Sequence, residues 1–597
     1  MKIYIYIVMH LLSINTICAQ NITHGPVVGG LTHTSARLYV RTHTAQAFVL
    51  ALSTIANFSE TALTITINSA TIPQQDSSVL ININSLLPDT RYYYKLLFNG
   101  IADSKIGSFR TFPVQNTPTH LLIATGSCQE TNNMKVFDRI AELQPNLFIH
   151  SGDFTYPSYQ MSDDYPTQYT AIQESWRRRY NENRMKDMLL NVPIDYILDD
   201  DDNYAGDCTN YHTGISWTID TTNFIHYTFQ RDTVLPVSRN NVFSGYRTFF
   251  PGYELADSTQ ALYHKFTMGN CEIFVLDVRS EASPPDQSFR YDTLSRTWHY
   301  EPDSTYLMIS HQQMNWLKQG LLESNAQWKI IVSGVPFNRQ QRILLQAGID
   351  LQQLYLPLGS GFAGMKLAVS MAGYWAGHPH QQNELLSFIA NNNIDNLLFV
   401  SGDSHVNMLD DGTNAGIPEI NASGLSVAEF DKKLFYFIDL LAPAMGYPAI
   451  IDSVWNKGGT GLGNANFKNG FGTIEVFGND SLKVCAIDED GVIISCMTLW
   501  SNTNVPPTTP NEVANLQIYP NPANQWISVS LPKQFAQTES GKWQIIDLQG
   551  KILQQYIAPA NDNKGITFEI KDYPIGSYIV RYQNKTSILS QLFTKIN

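Results

Sequence analysis

Apolar and polar positions alternate in short runs from residue 21 to about 113: "ARLYVRT", "FVLALST", "LTITIN", "SVLINI", "RYYYKLLFNG". A period of two predicts half-buried strands. From about 118 to 500 the pattern changes. "HLLIATGSC", "NLFIHSGDF", "CEIFVLDVR", "WKIIVSGVPF" and "NLLFVSGDSH" are compact apolar runs that end in small and polar residues, and helical stretches separate them. That organisation predicts an α/β domain, whose ligands gather at the carboxyl ends of strands. A Pro/Thr-rich linker follows at 501–514, "SNTNVPPTTPNEV". Residues 515–597 return to short strands with Gly turns, which predicts a second small β-sandwich.

The segment "LLPDTRYYYKLLFNG" resembles the late strands of a fibronectin type III module, with Leu86, Pro88, Thr90, Tyr92 and Tyr94 in the repeating positions. The resemblance implies a β-sandwich over 21–113, of the expected size and with the role of a platform.

Composition narrows the function classes. The chain has 597 residues, 43% of them hydrophobic and only 15% charged, with a formal net charge of −14. An acidic chain without basic blocks argues against nucleic acid or an anionic membrane as main partner. Arg177, Arg178 and Arg179, in "AIQESWRRRYNENRMKDML", read as the solvated face of a mixed-charge helix. Residues 1–19 read as a secretory signal, too short and interrupted to span a bilayer. No later run predicts a membrane helix. Beyond Cys18 five cysteines remain: Cys128, Cys208, Cys271, Cys485 and Cys496. Cys485 and Cys496 flank the turn signal Asp490-Gly491, which would set them opposite each other on a hairpin and permit a disulfide.

Four strand ends carry groups that bind metals: Cys128; Asp153 with Tyr156; Asp199 to Asp202; Asp403 with His405. Four consecutive aspartates repel one another, so their burial requires a cation. Small residues before Asp153 and Asp403 let backbone approach a shared centre. Carboxylates suit hard cations, and a thiolate and phenolate add selectivity for a transition metal.

Taken together, "GSCQ", "HSGDFTYP", "LDDDD", "LDVRS", "VSGVPF" and "SGDSH" resemble, in this order, the PhoD-like alkaline phosphatases of the calcineurin-like metallophosphoesterase superfamily. The resemblance implies a four-layer α/β/β/α sandwich over 118–500 and a phosphoesterase of mono- or diesters. It implies that Cys128, Asp153 and Tyr156 ligate Fe3+, with Asp153 a candidate bridge. Ca2+ is implied at Asp153, Asp199, Asp200 and Asp403, with His405 a further candidate. Asp277 and Arg279 match positions of a supporting kind. Asn338 stands near a strand end where related enzymes place a histidine ligand, which this chain lacks. Where the family has Asp-Asp-His, this chain has Asp201. Asp201 and His405 are the candidates for contact with substrate and for proton transfer. An ionised Asp201 would repel phosphate; neighbouring carboxylates raise its pKa and cations lower it. Asp202 is expected to face solvent.

Finally, "LQIYPNPANQWISVSL", "IIDLQGKIL" and "PIGSYIVRYQN" resemble the C-terminal sorting domain of type IX secretion substrates. The expected protein is therefore an exported metallophosphoesterase, secreted or held at the cell surface, with a small phosphate ester and the secretion machinery as partners. A surface-displayed binding protein with a degenerate centre and a phospholipase-type phosphodiesterase are the alternatives.

Overall fold

A computed structural model describes residues 21–59, 64–156, 167–203, 211–219, 225–233, 236–257, 259–294, 297–355, 361–501, 516–531, 540–547, 551–559, 565–584 and 588–596. The signal-peptide reading, most of the linker and Cys208 lie outside them. The chain divides into two compact units at residues 502–503.

The first unit opens with two antiparallel sheets. One contains β1 (Ile22–Gly29), β2 (Ala36–Thr42) and β5 (Ser78–Ile83). The other contains β3 (Ala47–Ser53), β4 (Thr64–Ala70), β6 (Arg91–Phe98) and β7 (Ile101–Arg110). On β6 the predicted alternation holds: Tyr92, Tyr94, Leu96 and Phe98 are buried and the residues between them only partly so. The Tyr92 hydroxyl accepts from the Leu87 N–H at 2.9 Å, fixing the corner into β6. This sandwich shares its core with the following domain. Tyr94 donates to the Leu190 carbonyl at 2.9 Å, and Tyr253 donates back to Leu31 at 2.7 Å.

A twelve-stranded mixed sheet dominates the rest of the unit. Its strands are β8 (His120–Gln129), β9 (Leu147–His150), β10 (Ile194–Tyr196), β13 (His264–Met268), β14 (Cys271–Val275), β17 (Trp328–Val332), β18 (Leu397–Ser401), β19 (Asn407–Asp410), β20 (Glu419–Ser426), β21 (Gly470–Phe477), β22 (Ser481–Asp488) and β23 (Ile493–Trp500). Two hairpins stand apart from it, β11 (Tyr211–Ile219) with β12 (Ile225–Thr233) and β15 (Phe289–Asp292) with β16 (Thr297–Tyr300). Strand β8 links the two halves of the sheet. Its first residues lie between β9 and β21, whereas Ser127 and Gln129 pair with β20. Cys128 sits at that crossing.

Strand alternation sorts the side chains into two cores. Ile273, Val275, Ile330, Val332, Leu398 and Val400 face one core with Ile123, Ile149 and Ile474, beneath helices Lys135–Leu143 and Tyr169–Tyr180. Their neighbours Phe274, Ile331, Leu397 and Phe399 face another, under helices His311–Glu323, Arg342–Tyr355 and Gly361–Ala372. Two half-sheets back to back between helical layers follow from buried strands with two apolar faces. The stretch read as one helix around the three arginines is two, Tyr169–Tyr180 and Met185–Leu189, broken before Arg184, whose φ is 66°. Cys485 and Cys496 face each other on β22 and β23 and form a disulfide, with Cα atoms 4.2 Å apart.

The second unit carries a three-stranded and a four-stranded antiparallel sheet around Ile527, Val529, Trp543, Ile545, Phe568, Val580 and Phe593. Each unit thus has its own hydrophobic core. A chain ending at residue 501 is accordingly expected to unfold at the same temperature as the first unit does in the whole protein. Differential scanning calorimetry of both checks this, and a shift of more than about 4 °C, roughly 4 kcal/mol for a unit of this size, would show that the tail supports the first unit.

Candidate metal centre

Strands β14, β17, β18, β20, β8, β9 and β10 run parallel to one another, so their carboxyl ends open on one side of the sheet. Cys128 ends β8, Asp153 follows β9, Asp199 and Asp200 follow β10, and Asp403 and His405 follow β18. Two groups of ligand atoms result, each contained within 4.8 Å: Cys128, Asp153 and His405; and Asp153, Asp199, Asp200 and Asp403. Asp153 belongs to both. The Tyr156 hydroxyl lies 3.3 Å from Asp153 Oδ2, and Cys128 Sγ lies 3.4 Å from the same oxygen.

The backbone is shaped for this convergence. Cys128 (φ 60°), Asp153 (58°), Tyr156 (42°), Asp403 (68°) and His405 (62°) all adopt the left-handed region. For non-glycine residues that conformation is uncommon, costs of order 1–3 kcal/mol each, and clusters at functional sites. Glycine permits the closest approaches. A Cβ on Gly152 would lie 2.5 Å from the Asp199 Cβ, and one on Gly334 would lie 2.9 Å from the Asp199 Cγ.

Negative charge is concentrated here. Asp153, Asp199 and Asp200 are buried, and Asp403 is 11% exposed. Arg279 is the one basic side chain that pairs with this cluster among the described residues. It meets Asp199 directly, Asp200 at 3.5 Å and Asp403 at 3.3 Å. Burial, then the Cys128 sulfur and the other aspartates, push the Asp153 carboxyl well above its usual range. Burial lifts Asp199 as well, against the opposing pull of Arg279. The buried Oδ2 of Asp199 has no hydrogen-bond partner among the described residues. Such a donor set fits hard cations, which would satisfy those oxygens and reverse the repulsion.

Residues 122–437 match the PhoD-like phosphatase family. The chain belongs to that family. Alkaline phosphatase D of Bacillus subtilis (strain 168) is 23% identical over 359 residues, which are 56% of this chain and 54% of that protein. The chain thus matches about half the length of this curated relative. A solved structure of PhoD superposes with a TM-score of 0.54 at 16% identity, covering 81% of this chain and 93% of the other, and shares the fold. Residues 517–595 match the secretion system C-terminal sorting domain, which marks the protein for export through type IX secretion. No helix among the described residues is long and apolar enough to cross a membrane. PhoD-like phosphatases are metal-dependent, and the acidic cluster is a candidate site for those metals.

Several residues behave differently from expectation. Asp202 does not face solvent; it is 2% exposed. Its Oδ1 accepts from the N–H groups of Phe154 (2.9 Å) and Thr155 (2.5 Å) and from Thr155 Oγ1 (2.9 Å), and its Oδ2 from the Asp199 N–H (3.1 Å). A strand-end carboxylate next to exposed N–H groups is stabilised by satisfying them. The arginine triplet is not a solvated face either. Arg179 is 2% exposed, and Arg178 donates to the carbonyls of Thr155 and Tyr156. Asn338 is buried, donates to the Val454 carbonyl and accepts from the Gln340 N–H, so it caps a turn.

Two residues near the centre gave little warning in the sequence. Asp431, on helix Glu429–Leu441, bonds His405 Nδ1 at 2.8 Å; helical periodicity alone marks it as one more polar position. Ser423 accepts from the His405 N–H at 2.8 Å and meets the Cys128 Sγ at 3.1 Å. Asp277 supports Arg279 by accepting from the N–H groups of Arg279 and Ser280. Burial lowers the His405 pKa, but hydrogen bonds to Asp431 and Cys128 outweigh it and hold the imidazole protonated well above its usual range.

Asp201 lies on the rim, half-buried, and its own N–H donates to Asp153 Oδ1 at 3.2 Å. Burial, then Asp200 and Asp403, raise its pKa from 3.8 to about 8. In the unfolded chain this carboxyl loses its proton near 3.8, whereas the folded protein keeps it to about 8. Between those values the folded state binds more protons, so the stability this group contributes falls as pH rises. The thermal midpoint of chelator-treated protein is therefore expected to decline between about pH 4 and pH 8, and Asp201→Asn to flatten the decline. Parallel slopes for parent and variant would refute this.

Proposed function

We propose that the protein is an exported phosphoesterase that hydrolyses phosphate mono- or diesters at a centre holding Fe3+ and Ca2+. In this reading Cys128, Asp153 and Tyr156 hold the iron, with His405 beside them. Asp153, Asp199, Asp200 and Asp403 hold the calcium. The observation that carries the reading is the membership of Asp153 in both ligand groups, as two cations sharing one carboxylate require. Bound there, the cations would polarise the phosphoryl oxygens and supply a water acidic enough to act as nucleophile near neutral pH.

The chain's own groups do the remaining work. Arg279, a planar donor already turned toward Asp200 and Asp403, keeps a positive charge at the centre and holds three carboxylates in fixed orientation. Asp431 orients His405, and the burial around Cys128 excludes bulk water. Asp201 occupies the rim from which a leaving group would depart. Protonated, it can donate to that oxygen; ionised, it leaves the protonation to solvent. The PhoD-like phosphatase region would be 118–500, the front sandwich 21–113 its platform, and 515–597 its sorting address across a linker at 501–514, with delivery to the medium or the cell surface.

A second reading, hydrolysis of amphiphilic phosphodiesters, is favoured by one observation. Helix Glu429–Leu441, which orients His405, exposes Phe430 (70%), Leu434 (42%), Phe437 (54%) and Leu441 (52%). Their spacing sets them on one stripe.

Elemental analysis with an activity screen on mono- and diesters tests the main reading, and iron and calcium together with turnover are expected. A purified protein with an empty centre and no turnover would favour the binding-protein alternative. Asp153→Asn, which keeps shape and removes the shared charge, is expected to lose metal and at least ~100-fold of the activity. Retention of half the turnover would reject Asp153 as the bridge. For Asp201→Asn the ratio of aryl-ester to alkyl-ester rates should rise if Asp201 donates the proton, since poor leaving groups need it most. An unchanged ratio would remove Asp201 from the chemistry.

A further inference from the structure

The loop Asp153–Tyr156 supplies two of the proposed ligands, and both its ends are left-handed, with φ of 58° at Asp153 and 42° at Tyr156. A backbone in that state persists only where its surroundings over-determine it. Its N–H groups and its carbonyls are held from opposite sides. Asp202 accepts from the N–H groups of Phe154 and Thr155. Arg178 Nη2 donates to the carbonyls of Thr155 at 2.5 Å and Tyr156 at 2.8 Å. Arg179 lies over the rings of Phe154 at 5.9 Å and Tyr156 at 6.0 Å, and also donates to the Gln129 carbonyl beside Cys128 at 3.1 Å. Arg177 takes no part. Its Nε meets Asp76 at 3.3 Å and the Gln173 carbonyl at 3.4 Å.

Resting on the metal-centre reading above, we propose that Arg178 is a positioning residue for that centre. It clamps the carbonyl side of the Asp153–Tyr156 loop against Asp202, so that Asp153 and Tyr156 point at Cys128. The arginine bonds backbone carbonyls rather than the side-chain atoms proposed as ligands. It acts through the peptide groups: one terminal nitrogen of its planar, always-charged guanidinium donates to two successive carbonyls and so fixes their direction.

The test compares Arg178→Gln, Arg178→Lys and Arg177→Gln in the full-length protein. Two quantities are read: the EDTA concentration that strips half the bound metal, and the hydrogen-exchange rate of the amides of residues 154 and 155 in EDTA-treated protein. Arg178→Gln should release metal at about tenfold lower EDTA, the effect typical of a lost supporting contact, and exchange those amides faster. Arg178→Lys, which keeps a cationic donor, should recover part of both. Arg177→Gln should match the parent, although it removes an equal charge from the same helix. Equal values for Arg178→Gln and parent, or the same loss in Arg177→Gln, would overturn the proposal. Should the parent itself bind no metal, the phosphoesterase reading falls, and unchanged exchange in Arg178→Gln would then bring this proposal down separately.

Discussion

The structure turns on one electrostatic constraint. Asp153, Asp199, Asp200 and Asp403 converge within 4.8 Å, and Arg279 pairs with three of them. Like charges in a buried site raise one another's pKa, and only bound cations or protons relieve the repulsion. The raised positions of Asp153 and Asp199 express that imbalance. An arrangement so unfavourable on its own persists because the surrounding fold leaves these side chains nowhere else to go.

That confinement comes from the sheet. Parallel strands deliver their carboxyl ends to one side, and β8 crosses between the half-sheets at Cys128, bringing ligands from both halves together. Left-handed turns then redirect each ligand inward over a single residue. Further out, Asp277 sets Arg279, Asp431 sets His405, and Asp202 ties the loop after β9 to the turn after β10. Carboxylates thus serve twice here, as candidate ligands at the centre and as acceptors that orient the ligands.

The front sandwich belongs to the same frame. Tyr94, Tyr253 and Arg37 carry hydrogen bonds between it and the α/β domain, and one core runs through both. A platform attached in this way limits how far strands β9 and β10 can shift, because the Leu190 carbonyl that Tyr94 holds lies just before β10.

Much of this was legible in the residues. Short alternating runs marked the β-sandwiches, compact apolar runs marked the parallel strands, and Cys128, Asp153, Asp199 and Asp403 stood out because metal-type side chains followed those runs. A turn signal between Cys485 and Cys496 permitted the disulfide, and the structure forms it. Motifs shared with the PhoD-like phosphatases did the rest, since each was weak alone and specific in sequence order. Local pattern determines these things because strand period and turn chemistry act over a few residues.

Tertiary structure decided which polar side chain does what. Asp202 looks like Asp201 in the chain, yet one is a buried acceptor for three N–H groups and the other sits on the rim. Arg177, Arg178 and Arg179 are consecutive, yet each meets a different partner, Asp76, the Thr155 carbonyl and the Gln129 carbonyl. Neither distinction is written in residue type. Both depend on which groups long-range packing sets beside them, and, the Asp199 N–H apart, those partners lie tens to about a hundred residues away along the chain.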